Sequence, residues 1–197
     1  MKRNHRISAC IAMLTALLAM GCSSDEGIAP AATPCEASYP SISDANAVVL
    51  HVAASCDVEL ADGSASSPYK TITAALEAAE PGTTIVVESE TYEENLVIAK
   101  ENIAILGEVS TDDAEMVGIV LQAPDPSATV TVQGVTGIVL QGIHIVDPTV
   151  AGVWVTSGSA TITDSSVTGA MADVDGQYGF GVLATNKAGI VLQQTAI

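Results

Sequence analysis

The sequence predicts an all-β fold, a parallel β-helix of about five coils, and two observations support it. Of the 197 residues, 48% are hydrophobic but only 3% are aromatic, so Val, Ile, Leu and Ala must form the core. Small β-branched side chains favour strands. The pattern of residues 138–145 (IVLQGIHI) also recurs in residues 160–167 (ATITDSSV) and 190–197 (IVLQQTAI), at offsets of 22 and 30 residues. Such repeats are typical of stacked coils, whose alternate side chains form apolar columns along the axis.

One such column is predicted to contain Leu140, Ile162 and Leu192. A β-sandwich is the alternative fold, but it would not require this one-sided register. The chain stops at Ile197, in the middle of the pattern. We therefore expect either that the protein continues beyond this residue or that another chain covers the last coil.

The first 22 residues are typical of an export signal with a lipid-attachment site. Three basic side chains within residues 2–6 precede an apolar run over residues 7–20. This run is shorter than the roughly 20 residues that a membrane-spanning helix needs. Residues 19–22 (AMGC) resemble a bacterial lipobox, in which the signal is cut before the cysteine, so we expect Cys22 to carry lipid. An ordinary cleaved signal and an N-terminal membrane anchor are the alternatives.

The predicted organisation is a lipoprotein signal peptide over residues 1–21, a flexible tether over residues 22–46 and a β-helix domain over residues 47–197. Residues 23–33 are mostly Ser, Asp, Glu, Gly, Ala and Pro, which cannot bury a core. Serine follows Cys22, where Asp would resemble an inner-membrane retention signal. We therefore expect export and lipid anchoring to the bacterial outer membrane, at the cell surface.

The charge of the chain restricts its partners. Without the signal peptide, three lysines and no arginine remain against 23 acidic residues. Nucleic acid is excluded as a partner because phosphate backbones are bound by Lys and Arg. Anionic polysaccharides would be repelled unless cations bridged them. The membrane through the lipid, neutral carbohydrate and other cell-surface components remain.

Two cysteines outside the signal and the lipobox, Cys35 and Cys56, are predicted to form a disulfide because an exported chain meets an oxidising compartment. Two buried free thiols are the alternative. The chain has no CxxC motif and no His/Cys cluster, so nothing favours structural zinc.

The elements of the β-helix domain can be placed in order. Residues 47–52 (AVVLHV) predict a strand. Apolar residues at i, i+3, i+4 and i+7 from Ile72 predict a short helix, with Thr71 as N-cap and Pro81-Gly82 as its end. Strand patterns follow from there to the end of the chain, beginning with residues 83–89, 94–99 and 102–107.

Residues 62–98 resemble the opening of proteins of the pectin-lyase-like superfamily. Residues 62–75 (DGSASSPYKTITAA) are similar to the segment that forms a capping helix there, and residues 82–98 (GTTIVVESETYEENLVI) to the first coil. The resemblance is closest to a bacterial domain of unknown function that opens such proteins. It implies an all-β, right-handed parallel β-helix with a short N-terminal capping α-helix, and it says almost nothing about activity.

No catalytic residue is assigned. Lyases of the superfamily commonly use Arg or Lys near calcium, and this chain has no Arg after its signal peptide. Hydrolases and esterases of the superfamily place Asp residues on neighbouring coils, and Asp147 and Asp164 are the nearest approximation, although Asp is common at turns. His144 and His51 have no identifiable acidic partner and are interpreted as surface or packing residues.

The sequence offers one weak metal site. The offset of 30 residues exceeds the offset of 22 because of extra residues near 169–178, which predict a projecting loop. Asp173 and Asp175 in this loop resemble a fragment of a calcium site. A solvated acidic turn is the alternative, and a second acidic loop at residues 111–115 is weaker still.

The sequence also offers one weak ligand-binding site. Trp154 lies between two valines, and if these point into the core the indole faces outward. Tyr178 and Phe180 are expected near the matching place one coil later, which would form an exposed aromatic cluster. Packing of these rings against the loop is the alternative.

We therefore expect a non-catalytic, lipid-anchored binding or adhesion module, with carbohydrate as a candidate ligand and no cofactor beyond the calcium hypothesis. The alternative is a polysaccharide lyase or glycoside hydrolase of the superfamily. A third hypothesis is structural, in which coils of different chains stack on each other.

Overall fold

The structure is a computed structural model that describes residues 35–109, 117–172, 176 and 179–197. The predicted signal peptide, the predicted loop at residues 111–115 and four predicted site residues lie outside these ranges. Those four residues are Cys22, Asp173, Asp175 and Tyr178.

Within the described ranges the chain forms one short α-helix and fourteen strands. In order they are β1 (Val49–Val52), α1 (Ile72–Ala78), β2 (Thr84–Val87), β3 (Thr91–Tyr92), β4 (Leu96–Ile98), β5 (Ala104–Leu106), β6 (Ile119–Leu121), β7 (Val130–Gln133), β8 (Ile138–Gln141), β9 (Ile143–Val146), β10 (Ala151–Thr156), β11 (Ser159–Thr163), β12 (Ser166–Thr168), β13 (Phe180–Thr185) and β14 (Gly189–Gln193). No helix among the described residues is long and apolar enough to cross a membrane.

The strands form three sheets, and neighbouring strands of each sheet are parallel. Sheet 1 has the order β1-β2-β5-β8-β11-β14, sheet 2 the order β3-β6-β9-β12, and sheet 3 the order β4-β7-β10-β13. The chain therefore passes through sheets 1, 2 and 3 in turn and completes four coils, and β14 begins a fifth. Parallel crossovers of this kind are right-handed. The predicted right-handed parallel β-helix is confirmed.

The register confirms the predicted apolar column. Ile162 is aligned with Leu140 on one side and with Leu192 on the other, and Leu140 is aligned with Ile105 in the preceding coil. Ile105, Leu140 and Ile162 are between 0% and 3% exposed. Burying a Leu or Ile side chain contributes about 1.5–3 kcal/mol, so these columns are the main source of stability.

Sharp corners join the strands and explain the position of Asp164. Gly142, Asp164 and Gln194 follow β8, β11 and β14 in turn, and all three have left-handed backbone angles, with φ of 65°, 48° and 47°. Asp adopts this conformation more readily than most residues. The corner therefore accounts for Asp164 without a catalytic role.

The extra residues of the fourth coil lie between β12 and β13, where the repeat offset predicts a loop. A second long connection, between β5 and β6, lies at a different corner. The β-helix thus tolerates insertions between strands while the strand register stays intact.

The helix α1 covers the first coil, as the sequence predicts. Thr71 Oγ1 accepts a hydrogen bond from the amide of Ala74 at 3.1 Å, which confirms the N-cap. Charged side chains from either side of β4 hold both ends of the helix. The Glu94 carboxylate accepts from the amides of Ile72 and Thr73 at 2.9 and 2.8 Å, and Lys100 Nζ donates to three carbonyls at the other end. Both charges also oppose the helix dipole.

Residues 35–47, before β1, form no helix or strand and lie against sheet 1. Cys35 is bonded to Cys56 with a Cα–Cα distance of 5.6 Å, which confirms the predicted disulfide. Tyr39 packs edge-on against His51 with the ring centroids 4.7 Å apart. Disulfides are typical of extracellular and periplasmic proteins, so the bond favours a location outside the cytosol.

Candidate binding face on sheet 3

The outer surface of sheet 3 presents the candidate site that the sequence singles out. Val153 and Val155 are 1% and 0% exposed, so the alternation of the strand places Trp154 outward, as predicted. We call the outward side chains of this sheet the sheet 3 face. Its members are Val97, Thr131, Gln133, Trp154, Thr156, Leu183 and Thr185.

Four of these side chains form one row across the four strands. Val97 is aligned with Thr131, Thr131 with Trp154, and Trp154 with Leu183. Strands in a sheet are 4.7–4.9 Å apart, so the row is about 14 Å long and runs from coil to coil. A second row contains Gln133, Thr156 and Thr185.

Hydrogen bonds fix the indole on this face. Trp154 Nε1 donates to Thr185 Oγ1 at 3.0 Å, which directs the ring towards β13. Asn186 Nδ2 donates to Thr156 Oγ1, also at 3.0 Å. The nitrogen of the indole is therefore satisfied within the protein, and the π face of the ring remains for a ligand.

The sheet 3 face is electrically neutral. None of its seven side chains carries a charge, although the whole chain has a net charge of −17. Its polar atoms are those of three threonine hydroxyls and one glutamine amide, which both donate and accept hydrogen bonds. This composition suits an uncharged, hydroxyl-rich ligand.

A groove borders one end of the row. It lies between α1 and β4, has a volume of about 280 Å³ and includes Val97, whose side chain is 56% exposed. Asn95 Nδ2, at its edge, donates to Ser127 Oγ at 2.9 Å and to Ala128 O at 3.1 Å. The groove is lined by Thr73, Leu76, Glu77, Asn95, Val97, Ile98, Ala99 and Lys100.

The structure does not place Phe180 beside Trp154. Phe180 is aligned with Ala151, three residues away along the strand, and Leu183 is the neighbour of the indole instead. The sequence contains a signal that identifies this neighbour, because residues 152–156 (GVWVT) align with residues 181–185 (GVLAT). Counting aromatic residues missed it.

Asp147 and Asp164 do not form a carboxylate pair. Asp164 follows β11, at the corner between sheets 1 and 2, whereas Asp147 follows β9, at the corner between sheets 2 and 3. Asp147 has a φ of 50°, so it too occupies a left-handed turn position. Both aspartates are thus explained by backbone geometry.

No cluster of three or more potential metal ligands occurs among the residues that the structure describes. Asp173 and Asp175 lie outside those residues, so the calcium hypothesis for their loop stays a prediction. His51 Nδ1 lies 3.0 Å from the carbonyl oxygen of Gly63, to which it donates, and His144 lies on the outer surface of sheet 2.

Comparisons with known proteins give one result. Neither a curated protein nor a solved structure matches the chain. The model of a family described as "Protein of unknown function (DUF1565)" matches residues 57–193, which include α1 and nearly all of the β-helix. The chain therefore belongs to this family of unknown function.

Proposed function

We propose that the protein is an exported, lipid-anchored binding module that holds a neutral glycan at the cell surface and does not cut it. The observation that carries this proposal is the hydrogen-bonded indole of Trp154 in the middle of an uncharged, threonine-rich face. An indole stacks on the apolar face of a sugar ring, while hydroxyl and amide side chains bond to the hydroxyls around it.

The geometry of the sheet 3 face favours an extended chain over a single sugar. The row from Val97 to Leu183 crosses four coils, and its side chains repeat at the strand spacing of 4.7–4.9 Å. The rise per sugar of an extended β-1,4-linked glycan is similar to this spacing. Successive sugars would therefore meet equivalent positions in successive coils, and the groove beside α1 would receive one end of the bound segment.

Export and anchoring are supported by two features. The Cys35–Cys56 disulfide favours a compartment outside the cytosol, and residues 19–22 resemble a lipobox. Replacing Cys22 with Ala in cells should move the protein from the membrane fraction to the soluble fraction and abolish incorporation of a labelled fatty acid. Retention of the label in the Cys22→Ala variant would contradict the anchor.

The binding proposal is tested with insoluble neutral β-1,4-glucan and the purified protein. We expect Trp154→Ala to weaken binding at least tenfold, which corresponds to about 1.4 kcal/mol. Trp154→Phe should lose less, because it keeps an aromatic face but not the bond to Thr185. Thr161→Ala, a substitution in β11 of sheet 1, is the matched control and should bind normally.

Equal binding by the wild type and Trp154→Ala would contradict the proposed site. Release of shortened sugars during the incubation would contradict the non-cutting role and favour a lyase or hydrolase.

A further inference from the structure

His144 and Ser166 form a hydrogen-bonded pair on the outer surface of sheet 2. They are aligned in the neighbouring strands β9 and β12, and His144 Nδ1 lies 2.9 Å from Ser166 Oγ. His144 lies between Ile143 and Ile145, which are 3% and 2% exposed, so the alternation of the strand directs its ring outward. Both side chains are half-buried and reachable from solvent.

A third group determines which nitrogen carries the proton. His144 Nε2 lies 3.1 Å from the carbonyl oxygen of Val117, and a carbonyl oxygen only accepts hydrogen bonds. Nε2 is therefore the protonated nitrogen of the neutral ring, and Nδ1 has a free lone pair. It follows that the Ser166 hydroxyl donates its proton to Nδ1.

We propose that Ser166 is a nucleophile that accepts an acyl group, with His144 as its general base. A nucleophile bonded to a base that a third group orients is the arrangement of activated serines in general. In the reaction Ser166 Oγ attacks the carbonyl carbon of an ester, and His144 Nδ1 takes the hydroxyl proton. The bond from carbon to the leaving oxygen then breaks, and the imidazolium returns the proton to the departing alkoxide, so the products are acyl-Ser166 and an alcohol.

The neighbours of the pair indicate the class of acyl donor. Val120 is aligned with His144 in the preceding coil, and Ala196 forms a bridge with Ser166 in the following one. These side chains are small and apolar, and the net charge of −17 repels anions. The donor is therefore a small uncharged ester. This inference is independent of the proposed glycan binding, because the pair lies on sheet 2 and the binding face on sheet 3.

The test incubates the purified full-length protein with p-nitrophenyl acetate and locates the acetyl group by peptide mass spectrometry. We expect acetylation of Ser166 at least tenfold above that of the exposed serines Ser43 and Ser66. Neither of these has an imidazole partner among the described residues. His144→Gln should slow acetylation of Ser166 by about 100-fold, because the amide can still donate to Val117 but is not a base.

The wild-type pattern alone can overturn the proposal, even if a variant fails to fold. Equal acetylation of Ser166, Ser43 and Ser66 would show that the pair only stabilises the sheet. An unchanged rate in His144→Gln would have the same meaning. Glycan binding by the His144→Gln variant should remain at the wild-type level, so failure of one proposal is distinguishable from failure of the other.

Discussion

The strands β8 and β14 contain the same tetrapeptide, IVLQ, at residues 138–141 and 190–193, yet only one copy is core. Leu140 is 1% exposed, whereas Leu192, its equivalent in the same column, is 45% exposed. The difference lies in their neighbours: β8 pairs with β5 and β11, but β14 pairs with β11 alone in the described structure. Identical residues therefore become core only where coils lie on both sides.

The opposite end of sheet 1 shows how such a strand is covered. Three residues of β2 are fully buried, because β1 pairs with it and α1 packs against it. Val86 is aligned with His51 and Leu106, yet it is only 1% exposed. Residues 35–47 lie beside Leu106 and account for this additional cover.

The largest expected effect tests the comparison of the two IVLQ strands directly. Leu140→Ala should lower the free energy of unfolding by about 3 kcal/mol, because it removes buried methyl groups and leaves a cavity. Leu192→Ala should cost about 1 kcal/mol or less, because its side chain is already half in water. Denaturation in urea measures both. Equal losses would show that the last coil is covered in solution.

A smaller effect is expected at the helix that covers the first coil. Glu94→Gln removes the charge that binds the amides of Ile72 and Thr73, and should cost about 1 kcal/mol. Glu93→Gln is the matched control, since Glu93 is the exposed neighbour and should tolerate the change. Thermal unfolding of the two variants measures the difference. A loss of equal size in both would mean that net charge matters and the cap does not.

The smallest effect concerns the segment over sheet 1. The hydroxyl of Tyr39 is buried without a hydrogen-bond partner, and burial, followed by the nearby Glu88 carboxylate, raises the pKa of Tyr39 from 10.0 to about 12. Because this pKa is higher in the folded state, stability is fully present below pH 10 and falls as the pH rises towards 12. Burial also raises the pKa of Tyr92.

Tyr39→Phe should therefore be neutral or slightly stabilising at pH 7 and should lose less stability than the wild type between pH 10 and pH 11. Urea denaturation at the three pH values measures this. A residual loss remains in the variant because Tyr92 still titrates. An identical pH dependence in both proteins would mean that residues 35–47 do not cover Tyr39 in solution.

Much of this molecule follows from sequence patterns with a fixed spacing. The helix begins after Thr71 because its hydroxyl can cap the first turn, and the register of Leu140 with Ile162 follows from the repeat. Leu183 as the partner of Trp154 was not predicted, because the fourth-coil loop shifts sheet 3 by 29 residues and sheet 1 by 30. The bonds of Glu94 and Lys100 to α1 were also missed, since they join residues more than twenty positions apart.

The pair of His144 and Ser166 illustrates the same limit. The sequence analysis looked for an acidic partner and found none, whereas the structure supplies a serine one coil away and a carbonyl from a third segment. An offset of 22 residues aligns the two side chains, so the signal was present in the repeat. The role of Val117 had no such signal, because a backbone carbonyl has no sequence identity.

The sequence by itself determined the fold class, the capping helix, the disulfide and the columns, because each depends on a local propensity or on a repeat of constant spacing. Only the tertiary structure decided which copies of a repeated strand are core, which side chains meet on the outer faces, and how the ends of α1 are held. These properties depend on contacts between coils, whose lengths vary with the loops at their corners. The physical reason is that burial and side-chain pairing are set by neighbours in space, and an insertion changes those neighbours without changing the strand pattern.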